Sequence, residues 1–247
     1  MRPNDIRPVF TAALITFSLA APLLLQGQGS DITGTWAADR RPRDPKLAPP
    51  APTPLLLRPQ YDAPYKARLA KERAAEERGE PLANGSTACV PYGMPQMMSA
   101  IYPLEILQTK GQVTIITEAF SEVRRIYLDE PQLKIGEPPP GYYGHSVGRW
   151  ENNILMVDTI GVKPEVLGYR GMPHSDQMHI REQFQLVAPD ILHDQITVED
   201  PVVLEKPWTF TFSYRRMPGY KLLEYVCENN REYVDENGVV RLKLGDK

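Results

Sequence analysis

From Leu104 to Val226 the apolar residues recur at every second position, in short runs broken by turn signals. A period of two sends alternate side chains to opposite faces of a strand. Leu104–Gln108, Val113–Glu118 and Val123–Leu128 read as strands, with Thr109-Lys110-Gly111 as a tight turn. His145–Trp150 and Ile154–Ile160 read as a hairpin through Glu151-Asn152-Asn153, because asparagine tolerates positive φ. Met178–Val187 and Leu192–Val198 are joined by Ala188-Pro189-Asp190, and Trp208–Arg216 and Tyr220–Cys227 by Met217-Pro218-Gly219. With Ile32-Thr33-Gly34-Thr35-Trp36 this makes about ten short strands at hairpin spacing. The expectation is an all-β, mainly antiparallel barrel or sandwich with one N-terminal surface helix, not a parallel α/β sheet.

The segments before Leu104 have other tasks. Arg2 and Arg7 precede Val9–Leu25, which carries no charge, and Gly27-Gln28-Gly29 follows as a small-x-small step. Residues 1–29 therefore read as a secretory signal peptide, with an uncleaved anchor as the alternative. No later stretch is long and apolar enough to span a membrane, so none is expected after cleavage. Residues 30–39 hold the first strand. Residues 40–64 form an arm with eight prolines, including Pro42, Pro45, Pro49 and Pro50, which cannot supply an interior strand or helix. Residues 65–79 are Ala-rich and charged and end at Gly79, the pattern of a surface helix. Residues 80–230 hold the β domain, and 231–247 a polar tail with one weak strand at Val239–Leu244.

Charge and motifs exclude several classes. Twenty-eight Lys and Arg stand against 31 Asp and Glu, so no basic excess supports nucleic-acid binding. There is no phosphate loop and no dinucleotide fingerprint, and no cofactor is expected. The only two cysteines, Cys89 and Cys227, can pair in an oxidising compartment or stay as separate buried thiols; the compartment argument favours the disulfide. His174, His179 and Glu182 lack a metal-site spacing, and on a strand His179 and Glu182 point to opposite faces, so no metal is expected. The cluster Met94, Met97 and Met98 reads as core packing or an adaptable surface, with soft Cu(I) ligation as the lesser alternative.

Alternation also nominates a site. Met178, Ile180, Glu182, Phe184 and Leu186 share one face, and Glu182 interrupts it. Asp158 interrupts Ile154, Met156 and Ile160, and Glu224 interrupts Tyr220, Leu222 and Val226. Trp208, Phe210, Phe212 and Tyr214 form an aromatic row. A carboxylate among apolar groups costs several kcal/mol unless it is paired, bonded or protonated. Two accounts fit: a cavity with acids pointing inward, or ion pairs with Arg124, Arg125, Arg149 or Arg181. The candidate catalytic groups are His145, His174, Asp158, Glu182 and Glu224. The candidate ligand-binding groups are Trp150, Trp208, Phe210, Phe212, Tyr214, Phe184, His179 and Arg125.

Several strings together resemble a group of secreted bacterial proteins, mostly called hypothetical. They are Cys89-Val90-Pro91-Tyr92-Gly93-Met94-Pro95, Arg124-Arg125-Ile126-Tyr127, Gly144-His145-Ser146-Val147-Gly148-Arg149-Trp150-Glu151 and Val157-Asp158-Thr159-Ile160-Gly161. Pro173-His174-Ser175 with His179 and Glu182, Glu199-Asp200-Pro201, Pro207-Trp208 and Glu224-Tyr225-Val226-Cys227-Glu228-Asn229-Asn230 complete the set. The resemblance implies membership of that group and no particular activity. After Tyr127 the group usually reaches a His-Pro that Leu128-Asp129-Glu130-Pro131 lacks, and after Glu182 it has Arg where this chain has Gln183. Gly34-Thr35-Trp36 is also similar to the opening strand of lipocalin-like barrels, which implies a barrel.

Two functions stand side by side. One is a periplasmic or secreted barrel that binds an apolar or aromatic small molecule in an internal cavity. The other is an enzyme on the same scaffold, an isomerase, cyclase, lyase or hydrolase, using His and carboxylate acid–base chemistry. A third, lesser expectation is a partner docked on the Pro-rich arm.

Overall fold

Nine strands close into a barrel in sequence order, β1 (Gly34–Ala38), β2 (Leu104–Thr109), β3 (Gln112–Thr117), β4 (Val123–Leu128), β5 (His145–Glu151), β6 (Ile154–Ile160), β7 (His179–Ala188), β8 (Ile191–Glu199) and β9 (Trp208–Arg216), in a computed structural model. It describes residues 29–82, 89–227 and 232–242. Residues 1–28 of the expected signal peptide, and Asn84-Gly85-Ser86, whose sequence reads as a turn or a glycosylation sequon, lie outside the described residues. The all-β barrel expected from the alternation is the fold observed.

An odd number of strands cannot close with every neighbour antiparallel. The exception falls between β4 and β5, which pair parallel through Ile126↔Ser146 and Leu128↔Gly148. A parallel pair needs a long crossover, and residues 129–144 supply it. The other consecutive pairs from β2 to β9, apart from β3–β4, β6–β7 and β8–β9, turn tightly. Asn152 and Asn153 both adopt the positive φ expected of them. The tight turns gather at one end of the barrel, the turn end. The long connections (39–103, 118–122, 161–178 and 200–207) gather at the other, the loop end.

Two parts of the chain depart from the sequence reading. Residues 220–226 form no strand, so Glu224 is exposed and faces no core. The tail instead makes a separate hairpin of β10 (Glu232–Val234) and β11 (Val240–Leu242). The helix α1 runs Pro59–Glu77, six residues earlier than the 65–79 expected at its start. Pro59 sits in the first turn, where its missing N–H has no helical acceptor to lose. Pro64 lies inside and forfeits only the bond to the Gln60 carbonyl. The predicted stop holds: Gly79 donates to the Glu76 carbonyl at 2.9 Å and Glu80 to the Ala75 carbonyl at 2.9 Å. Only Ala75 of α1 is buried, as a surface helix requires. The Pro-rich arm runs over the barrel wall. Thr53 donates to the Thr209 carbonyl at 2.9 Å and Arg58 to the Val203 carbonyl at 2.9 Å.

Inward positions follow from the register. Trp36, Leu104, Ile106, Ile115, Ile126, Leu155, Val157, Ile180, Phe184, Leu192 and Ile196 fill the interior. One polar network lies among them. Arg124 Nη1 donates to Glu182 Oε1 at 2.7 Å and Nη2 to Thr159 Oγ1 at 2.9 Å, and Nη2 also donates to Glu182 Oε2. The guanidinium also bonds Ser146 Oγ, so it reaches from β4 across β5 and β6 to β7. Of the two accounts for Glu182, the ion pair is the one observed. Asp194, on the next strand, is fully buried; burial and the nearby Glu182 push its carboxyl well above the usual range, although Arg124 pulls it down. Tyr214 donates to the Met98 carbonyl at 2.5 Å and lies 3.5 Å from Asp194 Oδ2.

At the barrel's rim the disulfide Cys89–Cys227 is formed and links residues 138 apart in sequence. Removing one partner of a buried ion pair strands the other charge. Arg124→Met is therefore expected to lower unfolding free energy by about 3–5 kcal/mol in a denaturant titration followed by circular dichroism. Asp194→Asn replaces a carboxyl already held towards its neutral form, and its expected loss at neutral pH is below about 1 kcal/mol.

Candidate ligand site at the loop end of the barrel

The aromatic row of β9 points inward, as the alternation required. Trp208 and Phe210 are buried, Phe212 is half-buried and Tyr214 is fully enclosed. The connection between β6 and β7 then places a fifth ring on this row. Tyr169 lies 4.9 Å from Phe210, 4.9 Å from Phe212 and stacks on Trp208 at 5.9 Å, centroid to centroid. The turn that presents it has unusual backbone, with Arg170 at φ 59° and Gly171 at φ 71°. α1 holds that turn from outside: Arg68 Nη2 donates to the Gly171 carbonyl at 2.6 Å, and the Tyr65 hydroxyl to the Arg170 carbonyl at 3.2 Å.

Three cavities surround this turn. One of about 930 Å³ lies between the arm and α1 and touches Trp208 and Arg170. One of about 360 Å³ reaches Tyr169 and Phe212 beneath Pro42 and Pro49. The third, about 720 Å³, runs between α1 and the segment Val90–Tyr92 and touches Val166, Leu167 and Gly171. These volumes fall in the range of small-molecule sites.

The motif residues beside the turn fix its frame. Both ring nitrogens of buried His174 face carbonyl oxygens, Val166 at 2.6 Å and Ser175 at 3.0 Å. Asp200 accepts from the Ser175 amide at 2.6 Å and hydroxyl at 2.9 Å, and from the Val202 and Val203 amides at 3.0 Å. His174 is thus a structural clasp, removed from any acid. Gly144 sits at φ +65°, where a Cβ would lie 2.4 Å from the Ile160 carbonyl oxygen, so this turn admits only glycine.

The other histidine candidates gather on the outer wall. Asp158 points outward, opposite to the cavity expected for it, because the inward face of β6 is Leu155, Val157 and Thr159. Its Oδ1 accepts from His179 Nε2 at 2.7 Å and from Gln132 Nε2 at 2.8 Å. Gln132 Oε1 lies 3.0 Å from His145 Nδ1, and His145 stacks on Tyr127. Burial pushes the Asp158 carboxyl up, but the bonds from His179 and Gln132 and the charges of His179 and Arg181 outweigh it and hold the group below its ordinary value. So His145, Asp158 and His179 come together, joined by Gln132 from the crossover. Glu182 and Phe184 are inside the barrel, and Trp150 points inward with its ring against Gly29. Arg125 is exposed on the outside and lines none of the three cavities described. Among the described residues no three His, Cys, Asp or Glu side chains are placed to hold a metal ion.

Three groups escaped the sequence reading. Tyr169 lies in a connection without periodicity; its flanking Gly168 and Gly171 were the available signal. Asp194 breaks the row Leu192, Ile196, Val198 in the same way that Glu182 breaks its own. Glu122 gave no signal, because it follows a strand end. Its side chain is 2% exposed, and Oε1 accepts from the Tyr92 amide while Oε2 has no partner. Burial raises its carboxyl to about 7, against the lowering effect of the Tyr92 and Gly93 amides. Neither a family model nor a curated protein matches the chain.

The native state holds a proton on Glu122 that the unfolded chain releases near 4.5. The stabilising contribution is complete below that value and disappears as pH rises through about 7. Glu122→Gln keeps the acceptor for the amides and removes the titration. The variant is expected to gain stability relative to the parent between pH 5 and 8, by at most about 3 kcal/mol, in paired denaturant titrations across that range.

Proposed function

We propose that this is an extracytoplasmic barrel protein that binds a planar aromatic or apolar small molecule at the loop end, against Trp208, Phe210 and Phe212. The observation that carries this is Tyr169. Its ring occupies the aromatic row while solvent-connected cavities lie on every side of the turn that holds it. A ligand ring entering from the cavity that reaches Trp208 or the one that reaches Tyr169 and Phe212 replaces one aromatic contact by another. Displacement therefore costs little burial, and the turn acts as a lid. The disulfide supports an oxidising compartment. No described helix is long and apolar enough to cross a membrane. The resemblance to secreted hypothetical bacterial proteins points to the same place.

The internal cavity of the sequence reading becomes, in this proposal, a site at the barrel mouth, since Arg124, Glu182, Asp194 and Tyr214 occupy the centre. Titration with the apolar fluorophore N-phenyl-1-naphthylamine tests it. Saturable binding is expected, with quenching of tryptophan emission. Tyr169→Ala is expected to tighten binding about tenfold, because no ring has to be displaced, and Phe212→Ala to weaken it by a similar factor. Absence of saturation in both parent and Tyr169→Ala, or indifference to Phe212→Ala, overturns the site.

A second reading, acid–base catalysis, has one observation of its own: the hydrogen-bonded chain from His145 through Gln132 and Asp158 to His179. The carboxylate orients the His179 ring and leaves Nδ1 outward as a base. p-Nitrophenyl acetate hydrolysis above the rate of free imidazole, lost in both His145→Ala and His179→Ala, is the expected result of that reading. Equal rates in parent and variants eliminate it.

A further inference from the structure

We propose that the aromatic cluster beside Glu122 is a separate binding site, a cage for an organic ammonium cation. The case begins with an enclosed carboxyl that has no counter-ion among the described residues. The other wholly enclosed carboxylate with an ionic role, Glu182, has Arg124. Glu122 is equally enclosed, yet the groups acting on it are its burial and two backbone amides, with no cation among the described residues. Its Oε2 is buried and makes no hydrogen bond. A buried acceptor left unmade normally marks a site completed by something else.

The surroundings name the chemistry. Phe120 stands between Tyr92, at 5.1 Å and 86°, and Tyr225, at 5.0 Å and 49°. Tyr102 continues the cluster against Tyr225 at 6.1 Å and 56°. The rings meet edge-on or tilted, and none of these three pairs is stacked. Burial pushes the Tyr92 and Tyr143 phenols up; Tyr225, Tyr102 and Glu122 add to the effect at Tyr92, and Glu122 and Tyr142 at Tyr143. Aromatic faces attract alkylammonium ions through the ring quadrupole, and a carboxylate supplies the full charge. Tyr102 is 45% exposed, so the cluster opens to solvent.

The backbone is built for this arrangement at some expense in strain. Phe120 and Ser121 are consecutive non-glycine residues at φ 56° and 50°, and Cys89 lies at φ 54°. Such conformations cost of order 1–3 kcal/mol each and concentrate at functional sites. The disulfide joins the two limbs that deliver Tyr92 and Tyr225. A turn that only linked β3 to β4 would need neither two left-handed residues nor an enclosed carboxylate.

The test compares choline with its neutral isostere 3,3-dimethyl-1-butanol by isothermal titration at constant ionic strength, on the intact disulfide-bonded protein. Saturable binding of choline is expected, at least about tenfold tighter than the isostere. Glu122→Gln, checked for folding by circular dichroism, is expected to remove that preference. Tyr102→Ala, an exposed change that leaves the fold intact, is expected to weaken choline about threefold. No saturable heat with choline, equal binding of the two compounds, or full binding to Glu122→Gln each overturns the proposal. Binding of N-phenyl-1-naphthylamine is unaffected by Glu122→Gln in every case, so this site and the barrel mouth stand or fall separately.

Discussion

The guanidinium of Arg124 ties together the strands around the one parallel joint of the barrel. Nine strands need one parallel joint, and β4·β5 has only three paired positions. Arg124 lies inside that joint and bonds Ser146 on β5, Thr159 on β6 and Glu182 on β7. A single side chain thus spans the seam and the two strands beyond it. Its charge is balanced by Glu182 in a bidentate pair, the geometry in which a buried guanidinium is best compensated. The second acid nearby, Asp194, is driven towards its neutral form first by burial and then by the neighbouring Glu182, against the pull of Arg124.

That arrangement divides the molecule. The centre holds a polar network and buried aliphatic groups. Tight hairpins close the turn end, where Arg216 lies over the Trp36 ring at 4.2 Å. The long connections are at the loop end: the turn with Tyr169, the arm with α1, and the segment around the disulfide. Rigid strands with long connections at one end are a common basis for a binding site, because loops can vary without disturbing the core.

The comparison of sequence and structure is most instructive at the acids. Glu182 and Asp158 both interrupt apolar rows, and the pattern alone treated them alike. The register separates them, since β6 turns Leu155, Val157 and Thr159 inward and leaves Met156 and Asp158 outside. Apolar residues occupied both faces of β6, so periodicity could not choose. Glu224 failed for another reason: alternation over Tyr220–Val226 is real, but no strand edge is available to pair it once β9 has closed on β1.

Sequence by itself determined the strand pattern, the tight turns, the arm, the helix stop at Gly79 and the inward aromatic row of β9. Each follows from local rules: a period of two, positive φ at particular residues, and proline's missing donor. Tertiary structure alone decided the closure at nine strands, the parallel seam, which acids are enclosed, and the meeting of Tyr169 with β9 and of Glu122 with Tyr92. Those depend on contacts between residues distant in the chain. No local preference encodes them; they follow from the geometry of closing the sheet and from the cost of leaving a buried charge unpaired.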